Sequence, residues 1–280
     1  MLKEKARAKI NLTLDITGRR ADGYHEVSMI MQSISLADEL EIEKTSDGIK
    51  LQVDGGLNIP TDQRNLAWRA AEEFCKYSGT AANVSIKLTK KIPSAAGLGG
   101  GSSDAAAVIR GLNRLYETNL SEKQLCEIGM RVGSDVPFCI VGGTCLAEGR
   151  GECLTRLAPL KNFYVVLAKP AAEISTAWAY KTYDEEPAQE HPPNMEIIRL
   201  LEQDKYSEAF GKFANVLEPI AIKLCPEIST IKSKMMELGA EVALMSGSGS
   251  TVFALTEEKT TAEKIAATIN DCEVFVTQFD

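Results

Sequence analysis

Residues 93–107 of the chain read Pro-Ser-Ala-Ala-Gly-Leu-Gly-Gly-Gly-Ser-Ser-Asp-Ala-Ala-Ala. Gly97, Gly99, Gly100 and Gly101 carry no side chain, so backbone there can approach a ligand closely and adopt positive φ. Ser102, Ser103 and Asp104 fall where an alanine-rich helix begins. The first N–H groups of a helix have no intrahelical partner, and with the helix dipole they make an anion site. A flexible loop with a serine cap is the alternative. Loops that lead into helices rarely need so many glycines, which favours phosphate binding. No Gly-Lys-Ser/Thr closes the loop, and its spacing is not Gly-x-Gly-x-x-Gly. Two charged residues invite chemistry as well. Asp135 follows Gly133-Ser134, where a carboxylate can accept a hydroxyl proton, help worth about 10²–10⁴-fold. It could equally cap the next element. Lys9 lies in an alternating segment and could meet phosphoryl charge or simply face solvent.

The elements that must position these residues follow from periodicity. Residues 6–16 alternate apolar and polar, as a half-buried strand does. Segments 27–34, 40–42 and 83–90 are further predicted strands. Helices are expected over 62–77, after the glycine loop, and over 121–132 with Ser121 as N-cap. The second half predicts a strand at 163–168 and helices at 175–183, 195–202, 206–217 and 227–238. Strands at 242–245 and 252–255 flank the Ser246-Gly-Ser-Gly-Ser250 turn. A helix over 258–270 and a strand over 273–278 finish the chain. Residues 184–194, rich in Pro, Glu and Asp, read as an exposed loop. The mixed order predicts an α+β fold, with a split βαβ arrangement in the second half.

Composition narrows the field. The 280 residues suit one large or two medium domains. A formal charge of -8 argues against a broad basic surface for nucleic acid. No run approaches the roughly 20 apolar residues that span a bilayer, and no apolar stretch follows the N-terminal charges as in a signal peptide. Seven cysteines without a Cys-x-x-Cys pair, and only His25 and His191, support no zinc site. Reduced, mostly buried thiols in a cytoplasmic protein are expected. Eleven of the 21 glycines fall between Gly97 and Gly151, so local backbone rather than overall charge is the expected anion ligand.

The motif from Pro93 to Ala105 resembles the phosphate motif of the GHMP kinases, the superfamily of galactokinase, homoserine kinase and mevalonate kinase. Ala8-Lys9-Ile10-Asn11-Leu12 is similar to the first motif of that superfamily, and residues 244–253 to its third. Asp22-Gly-Tyr24-His25-Glu26, Arg64-Asn65-Leu66, Gly133-Ser-Asp135-Val-Pro-Phe138 and Leu167-Ala-Lys-Pro170 resemble the branch acting on a cytidyl-diphosphate methylerythritol. The resemblance implies a ribosomal-protein-S5-like N-terminal domain that binds ATP, over 1–158, and a ferredoxin-like C-terminal domain, over 159–280. It implies ATP-dependent phosphorylation of the 2-hydroxyl of that alcohol, in non-mevalonate isoprenoid synthesis. Lys9 and Asp135 would be the catalytic pair. Pro93, Ala95, Gly97, Leu98, Gly99, Gly100, Gly101, Ser102, Ser103 and Asn65 would bind ATP, with Lys90 a further candidate for the adenine pocket. Asn11, Tyr24, His25, Thr176 and Tyr180 would bind substrate, with cytosine sandwiched between Tyr24 and Tyr180. Mg²⁺ would accompany ATP, with Ser103 as its candidate ligand; Glu148 reads as a solvated carboxylate. The expected partner is a small molecule bearing a cytidine diphosphate group, with no nucleic acid and no membrane, and the expected state a monomer or weak homodimer. Another GHMP small-alcohol kinase and a catalytically silent nucleotide-binding protein are the alternatives. Arg7 and Ser250 stand where the superfamily usually has proline, and Ser250 is expected to loosen its turn.

Overall fold

The computed structural model describes residues 1–55, 59–188 and 190–280. The chain opens with strands β1 (Leu2–Asn11), β2 (Asp15–Arg19), β3 (His25–Lys44) and β4 (Ile49–Asp54). Helix α1 (Leu66–Ser78), strand β5 (Val84–Thr89) and helices α2 (Gly100–Leu115), α3 (Glu122–Val132) and α4 (Val136–Val141) follow. Then come β6 (Thr144–Gly149), β7 (Cys153–Arg156) and β8 (Tyr164–Lys169). Helices α5 (Thr176–Glu185), α6 (Asn194–Glu202), α7 (Tyr206–Phe210), α8 (Glu218–Leu224) and α9 (Glu227–Glu237) lead to β9 (Val242–Met245) and β10 (Val252–Thr256). Helix α10 (Lys259–Thr268) and strand β11 (Glu273–Gln278) end the chain.

Contacts divide the chain into two compact units that do not follow chain order. The first comprises Met1–Lys9, Leu36–Ser94 and Gly99–Gly142; the second comprises Ile10–Ser35, Ala95–Leu98 and Gly143–Asp280. In the first unit β5 pairs in parallel with β4 and antiparallel with residues 39–44 of β3. Apolar residues of these strands (Leu40, Ile42, Ile86, Leu88) meet Phe74 of α1, Ala105 to Ile109 of α2 and Ile128 of α3 in one dry core. The helix ends are chemically specified. Asn65 caps α1, and Ser121 and Gln124 form a reciprocal capping box on α3.

In the second unit β8, β9, β10 and β11 form a four-stranded sheet in the order β11-β8-β10-β9. Its pairings are antiparallel. Helix α9 packs on β9 and β10, and α10 on β8, β10 and β11. Counting these strands 1 to 4 along the chain gives 4-1-3-2, the ferredoxin-like order expected of the split βαβ arrangement.

Several predicted elements shift. The segments 27–34 and 40–42 are one strand, because Ser33, Ser35 and Asp38 interrupt the apolar pattern without breaking the backbone. The strand expected over 6–16 stops at Asn11, and Asp15 starts another. The helix expected over 206–217 lasts only to Phe210; a separate helix starts at Glu218, next to Pro219 in its first turn. The loop expected over 184–194 is shorter, since α5 runs to Glu185 and α6 starts at Asn194; residue 189 lies outside the described residues. Strand β4 is an addition to the expected set, although Ile49-Lys-Leu-Gln-Val-Asp54 alternates as a strand should.

Candidate active site

Most of the nucleotide-side candidates, Asn65, Lys90, Pro93 and Gly99 to Ser103, lie in the first unit. Gly99 caps α2 in the left-handed conformation (φ 70°), which favours glycine. A Cβ there would stand 3.0 Å from Lys9 Cγ, so the Lys9 stem lies directly against the loop. A Cβ on Gly100 would stand 3.5 Å from Lys90 Nζ, and one on Gly101 3.3 Å from Leu66. The start of α2 is thus glycine backbone with Lys9 and Lys90 both close to it.

Lys9 is buried at 4% exposure, and its Nζ lies 3.6 Å from Asp135 Oδ2. Asp135 occupies the N-cap position of α4, yet its side chain makes no capping hydrogen bond. That separates the two roles left open by the sequence: the carboxylate is turned to Lys9, not spent on the helix end. Its side chain is about one-third exposed (34%), so one member of the pair is dry and the other wet.

Ser103 is buried, and its hydroxyl donates to Arg7 O at 2.6 Å and approaches Cys139 Sγ at 3.4 Å. Burial pushes the Cys139 thiol up to about 12, so it is no nucleophile at neutral pH. Asn65 is engaged at a helix end. Its Oδ1 accepts from Ala67 N at 2.9 Å and its Nδ2 donates to Pro60 O at 2.7 Å. Lys90 is likewise committed. It donates to Asp38 Oδ2 and to Asp104 Oδ2, the latter at 2.7 Å. Asp38 Oδ1 accepts from the backbone of Lys91 and Ile92 at 2.5 and 2.8 Å. Asp104 Oδ1 is buried without a hydrogen-bond partner among the described residues. Burial and the neighbouring Asp38 raise the Asp104 carboxyl well above 3.8, although Lys90 pulls the other way. Pro93 is partly buried just ahead of the loop.

The second unit holds the other ATP-side candidates, Ala95, Gly97 and Leu98, and the substrate-side candidates. Ala95 has positive φ (49°), Gly97 is left-handed (φ 73°), and Leu98 is buried. A Cβ on Gly97 would collide with Ser246 O, and the Ser246 hydroxyl donates to Gly97 O at 3.0 Å. Asn11 is buried; its backbone N–H donates to Ser246 Oγ at 3.3 Å and its side chain to Met29 Sδ at 3.3 Å. Thr176 and Ser248 hydroxyls are 2.9 Å apart. Ser250 does not leave its turn loose: its hydroxyl donates to Ala172 O at 2.5 Å. Asn215 adds two bonds, to Met245 O and Gly247 O at 2.9 and 2.7 Å. Glu218 accepts from Met245 N at 2.7 Å.

Tyr24 is 53% exposed, and the Arg150 guanidinium lies over its ring at 4.4 Å. His25 and Tyr180 are in ring contact, centroids 5.0 Å apart and planes at 42°. His25 Nε2 is 2.7 Å from Asp184 Oδ1. Tyr24 therefore has a cation on one ring face, and Tyr180 a neighbour in His25. Glu148 is exposed on β6, as a solvated carboxylate would be. Sequence reasoning missed Asp38, Asp184, Arg150, Asn215 and Glu218. Only the Gly149-Arg-Gly-Glu152 turn gave any local signal, for Arg150.

Among the described residues no group of three or more His, Cys, Asp or Glu side chains could hold a metal. No described helix is long and apolar enough to cross a membrane.

Comparison with known proteins places these features. The GHMP kinases N terminal domain matches residues 65–143, and GHMP kinases C terminal matches residues 191–273. The chain is 49% identical over 263 residues to a 4-diphosphocytidyl-2-C-methyl-D-erythritol kinase of Bacillus pumilus (strain SAFR-032), covering 94% of this chain and 90% of that one. The same-named enzyme of Bacillus subtilis (strain 168) is 45% identical, with the same coverage of 94% and 90%. A crystal structure of 4-(cytidine 5'-diphospho)-2C-methyl-D-erythritol kinase superposes with a TM-score of 0.84 at 34% identity, covering 99% of both chains. The mevalonate kinase of L. major, solved with R-mevalonate, shares the fold with a TM-score of 0.78 at 18% identity, covering 100% of this chain and 96% of that one. With the glycine loop, the ferredoxin-like sheet and relatives matching along nearly its whole length, this chain belongs to the GHMP kinase family, among the 4-diphosphocytidyl-2-C-methyl-D-erythritol kinases.

Proposed function

We propose that the chain transfers the γ-phosphoryl group of ATP to the 2-hydroxyl of 4-diphosphocytidyl-2-C-methyl-D-erythritol, in non-mevalonate isoprenoid precursor biosynthesis. The observation that carries this reading is the Lys9–Asp135 pair beside the bare start of α2. Phosphoryl transfer asks for in-line positioning and charge stabilisation more than for covalent chemistry. Asp135, uncommitted to the helix end and open to solvent, accepts the proton of the attacking hydroxyl. Lys9 beside it, 3.6 Å from Asp135 Oδ2, meets charge building on the transferring group. The loop from Pro93 through Ala95, Gly97, Leu98, Gly99, Gly100 and Gly101 to Ser102 and Ser103 offers main-chain N–H groups to the ATP phosphates.

Mg²⁺ fits this arrangement only as an ion carried mainly by phosphate and water oxygens, since the described residues hold no acidic cluster. The Ser103 oxygen, whose proton goes to Arg7 O, keeps lone pairs for it. When bound, the ion neutralises phosphate charge. Asn11, Thr176, Tyr24, His25 and Tyr180 hold the alcohol, with the aromatic residues on its cytidyl group. Asn65 supports ATP binding by fixing the start of α1.

The two family domains meet at 158/159, a reading supported by the irregular stretch between β7 and β8. We place the enzyme in the cytoplasm as a monomer or weak homodimer. Purified enzyme with ATP, Mg²⁺ and the cytidyl substrate is expected to release ADP in a coupled assay. ADP release with homoserine or mevalonate, and none with the cytidyl alcohol, would overturn the substrate assignment.

A further inference from the structure

The second unit holds an acid–base pair of which the sequence motifs mark only one member, His25. His25 Nε2 meets Asp184 Oδ1 at 2.7 Å, across 159 residues of chain. The Tyr180 ring packs against the imidazole, and the His25 side chain is only 10% exposed. Arg19 approaches the second carboxylate oxygen, Asp184 Oδ2, at 3.4 Å. The imidazole is thus gripped at one nitrogen and on one face.

A carboxylate only accepts hydrogen bonds, so the proton shared with Asp184 sits on Nε2. The hydrogen bond from His25 holds the Asp184 carboxyl below its usual value, which keeps it ionised. In the neutral ring Nδ1 is then an acceptor, and among the described residues it has no hydrogen-bond partner. Cytosine and uracil differ where such an acceptor counts. Cytosine carries an exocyclic amino donor at C4, and uracil carries a carbonyl acceptor there.

We infer that Asp184 is a positioning residue for pyrimidine choice: it fixes the His25 tautomer so that Nδ1 accepts from the cytosine amino group and repels uracil. The inference rests on the cytidyl reading above. A site built around one hydrogen bond loses more with a ligand that cannot make it than it gains from the match, because a buried polar group is left unpaired. Asparagine at 184 keeps the shape but can donate through its amide. It then stabilises the other tautomer, with the proton on Nδ1.

The test is competitive inhibition of ADP release by cytidine 5'-diphosphate and by uridine 5'-diphosphate. The native enzyme is expected to prefer the cytidine compound. Asp184→Asn should reduce that preference about tenfold, with KM for ATP unchanged. Arg19→Ala should leave the preference as it is, because the Arg19 guanidinium approaches Asp184 at the second carboxylate oxygen, not the one that meets His25, and the substitution keeps the backbone pairing of Arg19 with His25. An Asp184→Asn enzyme that keeps the native preference would overturn the role of Asp184. So would Arg19→Ala and Asp184→Asn weakening both nucleotides equally. A native enzyme with no preference between the two nucleotides would instead overturn the cytidyl reading itself. Thermal unfolding of each variant separates loss of fold from loss of preference.

Discussion

Two lysines flank the glycine loop, and they live differently. Lys9 and Lys90 are both nearly dry, with side chains 5% and 8% exposed. Lys90 is clamped between two carboxylates that are themselves buried, with Asp38 further held by two backbone N–H groups. Lys9 faces the Asp135 carboxylate at 3.6 Å, beyond hydrogen-bond length, and that carboxylate is open to water. A buried ion pair resists the loss of one partner, because the other charge is stranded. A half-wet pair leaves its exposed carboxylate, Asp135, open to a third party. The difference teaches that closeness to the loop does not make a lysine catalytic. Lys90 ties strand to helix, whereas Lys9 is set against a carboxylate that water reaches.

Substitutions can break this comparison. The largest effect is expected from Asp135→Asn, which should lower kcat by about 10²–10⁴-fold while KM for ATP and urea stability hold. An unchanged kcat would place the base elsewhere. Lys90→Met should reverse the pattern, costing about 3–5 kcal/mol of unfolding free energy in urea, with near-native kcat in the fraction still folded. A collapse of kcat without loss of stability would make Lys90 part of the chemistry. Gly99→Ala should fall between them. A left-handed alanine costs about 1–2 kcal/mol, and its Cβ would push on the Lys9 stem, lowering kcat by about 10–10²-fold.

The smallest effect tests the charge balance of the tight cluster. The Asp104 carboxyl is raised well above 3.8 by burial and by Asp38. Over the interval up to its folded value the native state holds a proton that the unfolded chain has released. The stability this gives is complete below about 3.8 and is lost as pH rises through the folded value. Asp104→Asn, neutral and of the same shape, should therefore flatten the decline of urea stability with rising pH. An unchanged slope would mean that Asp104 is ionised throughout.

Much of this was legible in the sequence. The glycine loop declared itself because glycine is the residue that backbone contact requires. The hairpin of the second-unit sheet was legible because the apolar runs 242–245 and 252–255 flank the Ser246-Gly-Ser-Gly-Ser250 turn, and both are buried strands. Ser121 announced its helix because a cap acts within one turn. The clamp on Lys90 was not legible, since Asp38 lies 52 residues away and its own neighbours suggest only a strand. Nor was the grip on His25 by Asp184. The choice between base and cap at Asp135 needed side-chain direction, which spacing along the chain does not encode.

The Ser246–Ser250 turn has a consequence for motion. Glycine-rich turns ordinarily open easily, yet here Asn215 holds two of the carbonyls, Glu218 holds the Met245 amide, and Ser250 is tied to Ala172. Amides fixed to buried partners exchange with deuterated solvent only when a larger region opens. The Met245 amide should then be among the last in the second unit to exchange, making this turn a rigid wall and not a lid.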